Sequence, residues 1–451
     1  MMNLNFEEIL LAANGKVVNE GNREFNEIST DTRKIKEGSL FIALHGENFN
    51  GNLFVNDAAK KGASICIVDD LCYDEKTIGS TSIIKVTDTK QALLDIAEYY
   101  RKKLDIKVIG ITGSNGKTST KDLIAAVLSE KYKVFKTKGN FNNEIGVPLM
   151  IFQLDDSYDI AVIEMGMSAF GEIHRLSKAA RPDIGVITNI GMSHIETLKT
   201  RDNILKAKME ITDFLKDGSD LVVNGADDKL IGIKSDRLNI IKVGIDNAAF
   251  CAENIKFNEN STTFTTMIDH KKYNFDIPLL GTHNVYNTLL ALCVGNLLNV
   301  TVSEMQKGMD NLEATSMRLD IIKKDNYTII NDCYNSSPSS IKAAFEVESN
   351  INSLRKVAIL GTMKELGDES ENAHFEVGKY AKESNIDLLL LTGEYTDKIK
   401  EGYNLKNVFI YDSVEELIDD LKNKIKKGDA ILVKASRSMK FERIVSALNK
   451  E

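Results

Sequence analysis

At 451 residues the chain exceeds what a single hydrophobic core serves, and two or three domains are expected. Hydrophobic residues make up 43% and charged residues 27%, the balance of a soluble globular protein, and no apolar run reaches the roughly 20 residues of a membrane helix. The net charge of −9 excludes a general nucleic-acid binder with a broad basic face, while leaving room for an anionic small molecule in a local basic pocket.

The N-terminus carries Glu7 and Glu8 inside its only apolar run and lacks a basic leader, so it reads as a short amphipathic helix, not a signal peptide. Up to about residue 85 short strands are expected at 39–44 and 63–68, with a helix over 53–62 ending at Gly62. A helix over 90–103 leads into the apolar strand 107–112. Strands at 133–136, 160–164, 184–188 and 220–223 then alternate with helices, the rhythm of a mostly parallel sheet. The stretch 250–280 alternates polar and apolar residues and predicts antiparallel strands at an edge, followed by a helix over 284–298. After about residue 314 the rhythm restarts, with strands at 356–361, 387–393, 407–412 and 430–436. The fold class is therefore α/β in three domains: residues 1–85, a central parallel-sheet domain over 86–313, and a Rossmann-like domain over 314–451. Cys66, Cys72, Cys251, Cys293 and Cys333 form no paired motif. Cys66 and Cys293 sit in apolar patterns and read as buried free thiols, so a cytoplasmic location follows.

The strongest local signal runs from Thr112 to Ser119, Thr-Gly-Ser-Asn-Gly-Lys-Thr-Ser, between a strand and a helix. Gly113 and Gly116 let backbone N–H groups close around an anion, with Ser114 and Asn115 between them. The helix N-terminus adds its positive end and Lys117 a full charge. Thr118 or Ser119 can offer a hydroxyl to Mg²⁺. Ile111 stands where the first glycine of a full phosphate-loop pattern would be, and the bland alternative is a glycine-rich turn that caps a helix. Glu164, at the tip of the strand 160–164, is where a nucleotide-hydrolysing domain holds its Mg²⁺; otherwise it is a solvated strand end.

Several separate blocks along nearly the whole chain resemble the Mur ligases, above all the branch that adds D-alanyl-D-alanine. They are Ser29–Arg33 with Gly38–Leu44, Gly139–Pro148, Asn189–His194, Ala207–Glu210, Gly281–Asn287, Asn331–Asn335, Lys364–Gly367 and Lys434–Arg437. The chain departs from the usual pattern at Asn50-Gly51-Asn52, at Ser316-Met317 before Arg318, and at Thr362.

The resemblance implies ATP and Mg²⁺, with UDP-N-acetylmuramoyl-tripeptide and D-alanyl-D-alanine as substrates. It implies an amide bond made through an acyl phosphate by a monomer with no membrane insertion and no nucleic-acid partner. Lys117 would hold phosphates; Thr118, Glu164 and His194 would serve the metal; Lys208 would be carbamylated. His283, Asn284, Asn287, Arg318 and Asp332 would contact the nucleotide. Ser29 and Arg33 would grip the uridine diphosphate end and Asn140 and Asn143 the substrate loop, while Asn335, Ser436 and Arg437 would face D-alanyl-D-alanine. Each has a plainer reading: His194 as a polar loop residue, Lys208 as part of a solvated helix face, Thr282 or Asn284 as a helix cap, Arg318 paired with Asp320. Rival functions are a folate-extending glutamate ligase of the same superfamily, which lacks a UDP-binding first domain, and a nucleotide-binding scaffold without ligase chemistry.

Overall fold

The computed structural model describes residues 3–46, 49–244 and 250–450. Its first sheet is ordered Lys16–Asn19, Ser82–Lys85, Ala63–Val68, Ser39–Ile42, Glu27–Ser29, parallel except for the first pair. Alternate residues feed its two faces. Phe41, Cys66 and Ile83 pack on Val55 and Ala58 of the Val55–Lys60 helix, while Leu40, Ile42, Ile65 and Ile84 face Phe6, Ile9 and the Thr89–Lys103 helix. The helix expected over 53–62 is thus a 3₁₀ turn at Gly51–Phe54 followed by Val55–Lys60.

The central sheet is wholly parallel, ordered Asn239–Val243, Asp220–Asn224, Ile184–Ile187, Lys107–Thr112, Ile160–Glu164, Val134–Lys136. Its inner strands are near-continuous apolar runs because helices cover both faces. Ile109, Ile111 and Val162 meet the Lys117–Ser129 and Thr282–Leu297 helices, whereas Val108, Ala161 and Ile163 meet the opposite layer. The chain leaves Lys107–Thr112 toward one edge and later returns past it to the other, so its carboxyl end lies at the reversal of strand order, where open α/β sheets bind ligands.

The antiparallel strands expected at an edge instead form a sheet of their own: Glu253–Phe257, Thr262–Ile268 and Lys271–Ile277. Asp269 and His270, both at positive φ, make the two-residue turn that matches strand twist. Phe264 and Phe275 turn this sheet's apolar face onto the Thr282–Leu297 helix core instead of extending the parallel ladder.

The last sheet is ordered Asp320–Lys323, Tyr327–Asn331, Asp429–Lys434, Arg355–Leu360, Leu388–Thr392, Val408–Tyr411, antiparallel only at its first strand. Cys66, Cys293 and Cys333 are free and buried, and burial pushes the Cys66 and Cys293 thiols up to about 12. Among the described residues no helix is long and apolar enough to cross a membrane.

Candidate active site

The phosphate loop leaves the Lys107–Thr112 strand with Gly113 at φ +153°, where a Cβ would collide with the Thr188 hydroxyl, and enters the Lys117–Ser129 helix through Gly116 at φ +77°. The neighbouring strand's extension braces it. Ser114 N–H donates to the Asn189 carbonyl (3.0 Å), Asn115 N–H to Asn189 Oδ1 (2.9 Å), and Gly191 N–H to Ser114 Oγ (2.8 Å). Lys117 Nζ donates to the carbonyls of Gly113 (2.8 Å) and Ser114 (3.4 Å), and burial holds its ammonium below the ordinary lysine value.

Thr118, buried, donates its hydroxyl to Glu164 Oε2 (3.0 Å), and Asn142 Nδ2 donates to Oε1 (2.8 Å). Among the described residues no three His, Cys, Asp or Glu side chains converge as a metal cage. A hydroxyl and one buried carboxylate beside a phosphate loop suit Mg²⁺, which keeps waters and takes phosphate oxygens as ligands, so the residues present fit that ion. Lys208, on the Arg201–Met209 helix, is only 1% exposed, and its Nζ forms no hydrogen bond or ion pair with any described residue. Burial, and then the charge of Lys117, force its ammonium well below the usual value. It is therefore not part of a solvated helix face. The helical stretch containing it stops at Met209 and continues as a 3₁₀ turn, where the Glu210 carboxylate accepts from the N–H groups of Gly171 and His174.

Residues from the last sheet reach over the loop. Arg318 donates to Thr118 Oγ1 (3.3 Å), and its guanidinium lies 3.9 Å from the centre of the Tyr334 ring. The positions around it, Met317 (φ +62°) and Leu319 (φ +54°), are left-handed, so Met317 holds a backbone that glycine adopts freely. Asn115 bridges to Ser337 Oγ (3.1 Å) and Ser339 Oγ (3.1 Å) at the start of the Pro338–Asn350 helix. His194 Nδ1 lies 2.6 Å from Glu365 Oε2. Asp332 and Lys434 form a buried pair (2.5 Å), and Lys434 also donates to the Asn335 carbonyl (2.9 Å).

The Thr282–Leu297 helix begins two residues earlier than expected, and its cap, Gly281, forms no side-chain capping bond. Asn284 donates instead to the Leu280 carbonyl (2.9 Å) and accepts from Asn287 (3.2 Å). Asn287 lies so close to Gly116 that a Cβ there would come within 2.9 Å of its Oδ1. His283 Nδ1 is buried without a partner, and desolvation lowers the ring's basicity. Ser119 lines a small cavity with Asp122, Thr315 and Arg318.

The remaining sequence-chosen residues lie outside this cluster or are engaged locally. Asn140 is exposed, and Asn143 Oδ1 accepts from Gly146 N–H (2.8 Å) at the start of the Gly146–Ile151 helix. Ser29 accepts from Asp31 N–H, and the exposed Arg33 pairs with Asp31 at 2.9 Å, which holds that carboxyl at about 2. Ser436 accepts from Lys364 N–H (2.8 Å), and Arg437 pairs with Glu442 at 3.0 Å. Asn52, the departure in the first domain, is fully buried and donates to Asp69 Oδ1 (2.7 Å), so it braces that loop. Sequence reasoning missed Asn142, Asn189, Tyr334, Ser337 and Glu365. Asn142, Asn189, Tyr334 and Glu365 were within reach, since each stands inside a block already singled out.

A phosphate loop on a parallel sheet, overhung by an arginine and a helix start from a second parallel sheet, defines a two-sided nucleoside-triphosphate site. The sequence matches the Mur ligase middle domain over residues 111–295, the Mur ligase glutamate ligase domain over 317–437, and the Mur ligase family catalytic domain over 24–101. The chain belongs to the Mur ligase family. It is 40% identical to the UDP-N-acetylmuramoyl-tripeptide–D-alanyl-D-alanine ligase of Bacillus subtilis, over 93% of this chain and 92% of that one. Among solved structures it is similar to MurF from Acinetobacter baumannii, with a TM-score of 0.92, 28% identity and 100% of both chains covered. It is also similar to MurF ligase from Thermotoga maritima in complex with ADP, with a TM-score of 0.86, 29% identity and 94% and 97% covered.

Proposed function

We propose that this chain is an ATP-dependent ligase that joins the amine of D-alanyl-D-alanine to the terminal carboxylate of UDP-N-acetylmuramoyl-tripeptide, acting as a cytoplasmic monomer. The observation that carries this reading is the meeting of Lys117, Thr118 and Glu164 with Arg318 from the last domain, in a chain alike end to end to ligases of that name.

A free carboxylate is a poor electrophile, and phosphorylation turns one of its oxygens into a leaving group. The protein's task is then positioning and charge neutralisation. Gly116 to Ser119, at the helix start, offer backbone N–H groups to the β- and γ-phosphates, and Lys117 exchanges its two carbonyl partners for phosphate oxygens. Thr118, Glu164 and His194 would hold Mg²⁺, which when bound offsets the charge gathering on the transferred phosphoryl group. Arg318 approaches from the far side, held over Tyr334. Asn284, Asn287 and His283 line the base side and Asp332 receives ribose hydroxyls. Ser29, Arg33, Asn140 and Asn143 serve the UDP-precursor, and Asn335, Ser436 and Arg437 the dipeptide.

Lys208, buried without a counter-charge, is best satisfied as a carbamate. Its neutral amine attacks CO₂, a C–N bond forms and a proton leaves, giving an anion beside the cations of the site. The deciding experiment measures phosphate release from ATP with UDP-N-acetylmuramoyl-tripeptide, with and without D-alanyl-D-alanine. Dependence on both substrates supports the reading. Release driven by glutamate and a folate, or none with any acceptor, overturns it.

A further inference from the structure

His194 is fixed from outside its own domain. It sits at φ +63° before the short Ile195–Leu198 helix, and its Nδ1 meets the carboxylate of Glu365 at 2.6 Å. The main chain docks at the same point, with Glu196 N–H donating to the Glu365 carbonyl (3.2 Å). Gly367, at φ +53°, packs so closely that a Cβ there would stand 3.1 Å from Glu196 Cα.

The segment bearing Glu365 is stiff. Met363 and Leu366, on either side of Lys364 and Glu365, are 1% and 2% exposed and anchor it in the core. Met363 N–H donates to Nε2 of the buried His374 (3.0 Å), whose Nδ1–H donates to the Ser370 carbonyl (2.7 Å). Lys364 N–H donates to Ser436 Oγ, and Thr362 Oγ1 accepts from Glu394 N–H, each at 2.8 Å. Glu365, at φ +66°, is the outward turn of this finger.

We infer that Glu365 is a positioning residue. Supplied by the last domain, it accepts the Nδ1 proton of His194 and thereby presents Nε2, with its lone pair, to the phosphate-loop cleft. A carboxylate on one imidazole nitrogen fixes both the tautomer and the ring plane, which is how proteins prepare a histidine to act through the other nitrogen. Docking of the last domain against the central one and orientation of the His194 ring are then one event. The inference rests on the reading of His194 given above.

The test is a double-mutant cycle on the full chain, with Glu365→Ala, Glu365→Gln, His194→Ala and His194→Ala/Glu365→Ala. The readouts are kcat and KM for D-alanyl-D-alanine-dependent phosphate release, and Mn²⁺ affinity of the ADP complex by electron paramagnetic resonance. Glu365→Ala should lower kcat about 10–100-fold and weaken Mn²⁺ binding, leaving KM for the UDP-precursor unchanged. Glu365→Gln, which keeps an acceptor oxygen, should recover most of the loss. In the His194→Ala background the second substitution should cost under about twofold. Additive losses, a glutamine variant as impaired as alanine, or unchanged kcat in Glu365→Ala each overturn the positioning role. A His194→Ala enzyme of wild-type activity and Mn²⁺ affinity overturns the reading of His194 itself. Glu365 is about half exposed, so all variants should fold, and circular dichroism verifies it.

Discussion

Lys208 separates fold from function. A buried ammonium without a carboxylate is among the costliest groups a core can hold, so burial favours the neutral amine at Lys208 over its charged form. Lys208→Met keeps length and volume and removes the polar end. Replacing buried ionic groups with apolar ones of similar volume is often neutral or stabilising by about 1–4 kcal/mol, and Lys208 lacks the partner that would argue for the low end. The pH dependence has a definite sign. Burial holds the folded ammonium well below the ordinary lysine value of 10.5, so between the folded value and 10.5 the unfolded chain binds a proton that the folded chain does not, and wild-type stability rises with pH across that window. The advantage of Lys208→Met should thus be largest at low pH and shrink toward pH 10, as read by urea denaturation in CO₂-depleted buffer. The same variant should lose ligation about 10–100-fold or more, because the carbamate cannot form. Lys208→Ala leaves a hole that acetate can enter, and added acetate should restore part of its activity. Carbon-13 bicarbonate should give the wild type a carbamate resonance that both variants lack. Full ligation by Lys208→Met in bicarbonate-free buffer would refute the functional reasoning; a clear loss of stability at pH 6 would refute the electrostatic one.

Lys117→Ala should reduce turnover by at least about 10²-fold while shifting stability by less than about 1 kcal/mol, since its partners are loop carbonyls; a folded variant ligating normally contradicts the loop assignment. Glu348 is fully buried against the backbone of Val357 and Leu432, and desolvation raises its carboxyl well above 4.5. The folded chain therefore keeps a proton that the unfolded one loses, and stability falls as pH rises from about 4.5 through the folded value; Glu348→Gln should flatten that fall in melting curves from pH 5 to 8, and parallel curves would sink the idea. Asp122 accepts from both the N–H (3.0 Å) and the hydroxyl (2.7 Å) of Thr315 beside the Met317–Leu319 turn. Asp122→Ala should loosen that linker and enlarge the radius of gyration in nucleotide-free scattering, and an identical curve would show that the linker does not set domain docking.

What was legible in the sequence is what local chemistry dictates. Glycines at Gly113 and Gly116 meet backbone demands that other residues resist, and Lys117 and Thr118 follow at fixed offsets on one helix start, so the loop could be read residue by residue. Apolar runs announced the parallel sheets because burial on both faces leaves no polar alternation. Polar partnerships across distant segments were not legible. Nothing in the neighbourhood of His194 says that Glu365 will face it, nor does Asn142 declare that it will donate to Glu164. Asn143 and Arg33 are each engaged within their own loop, Asn143 with the Gly146 N–H and Arg33 with Asp31, so serving the precursor means exchanging those bonds. Amides and guanidinium groups satisfy a nearby backbone or carboxylate as readily as a substrate, and only the three-dimensional arrangement distinguishes these uses.

The charges at the loop carry the argument one step further. Lys117 leans on two carbonyls of its own loop, Lys208 has no partner, and Arg318 leaves Nε buried and unbonded while its other end reaches Thr118. Glu164 is shared between two neutral donors, Thr118 and Asn142, so none of these cations neutralises it directly. A folded core tolerates such a surplus of under-paired cations only where it can be relieved, and a triphosphate relieves it by supplying oxygens to each at once. The last domain contributes to this surplus through Arg318, so anion binding and docking strengthen each other without any dedicated clasp. Glu365 runs against that trend as a carboxylate aimed into a cationic cleft, and its hydrogen bond to His194 gives it a place there that does not compete with phosphate.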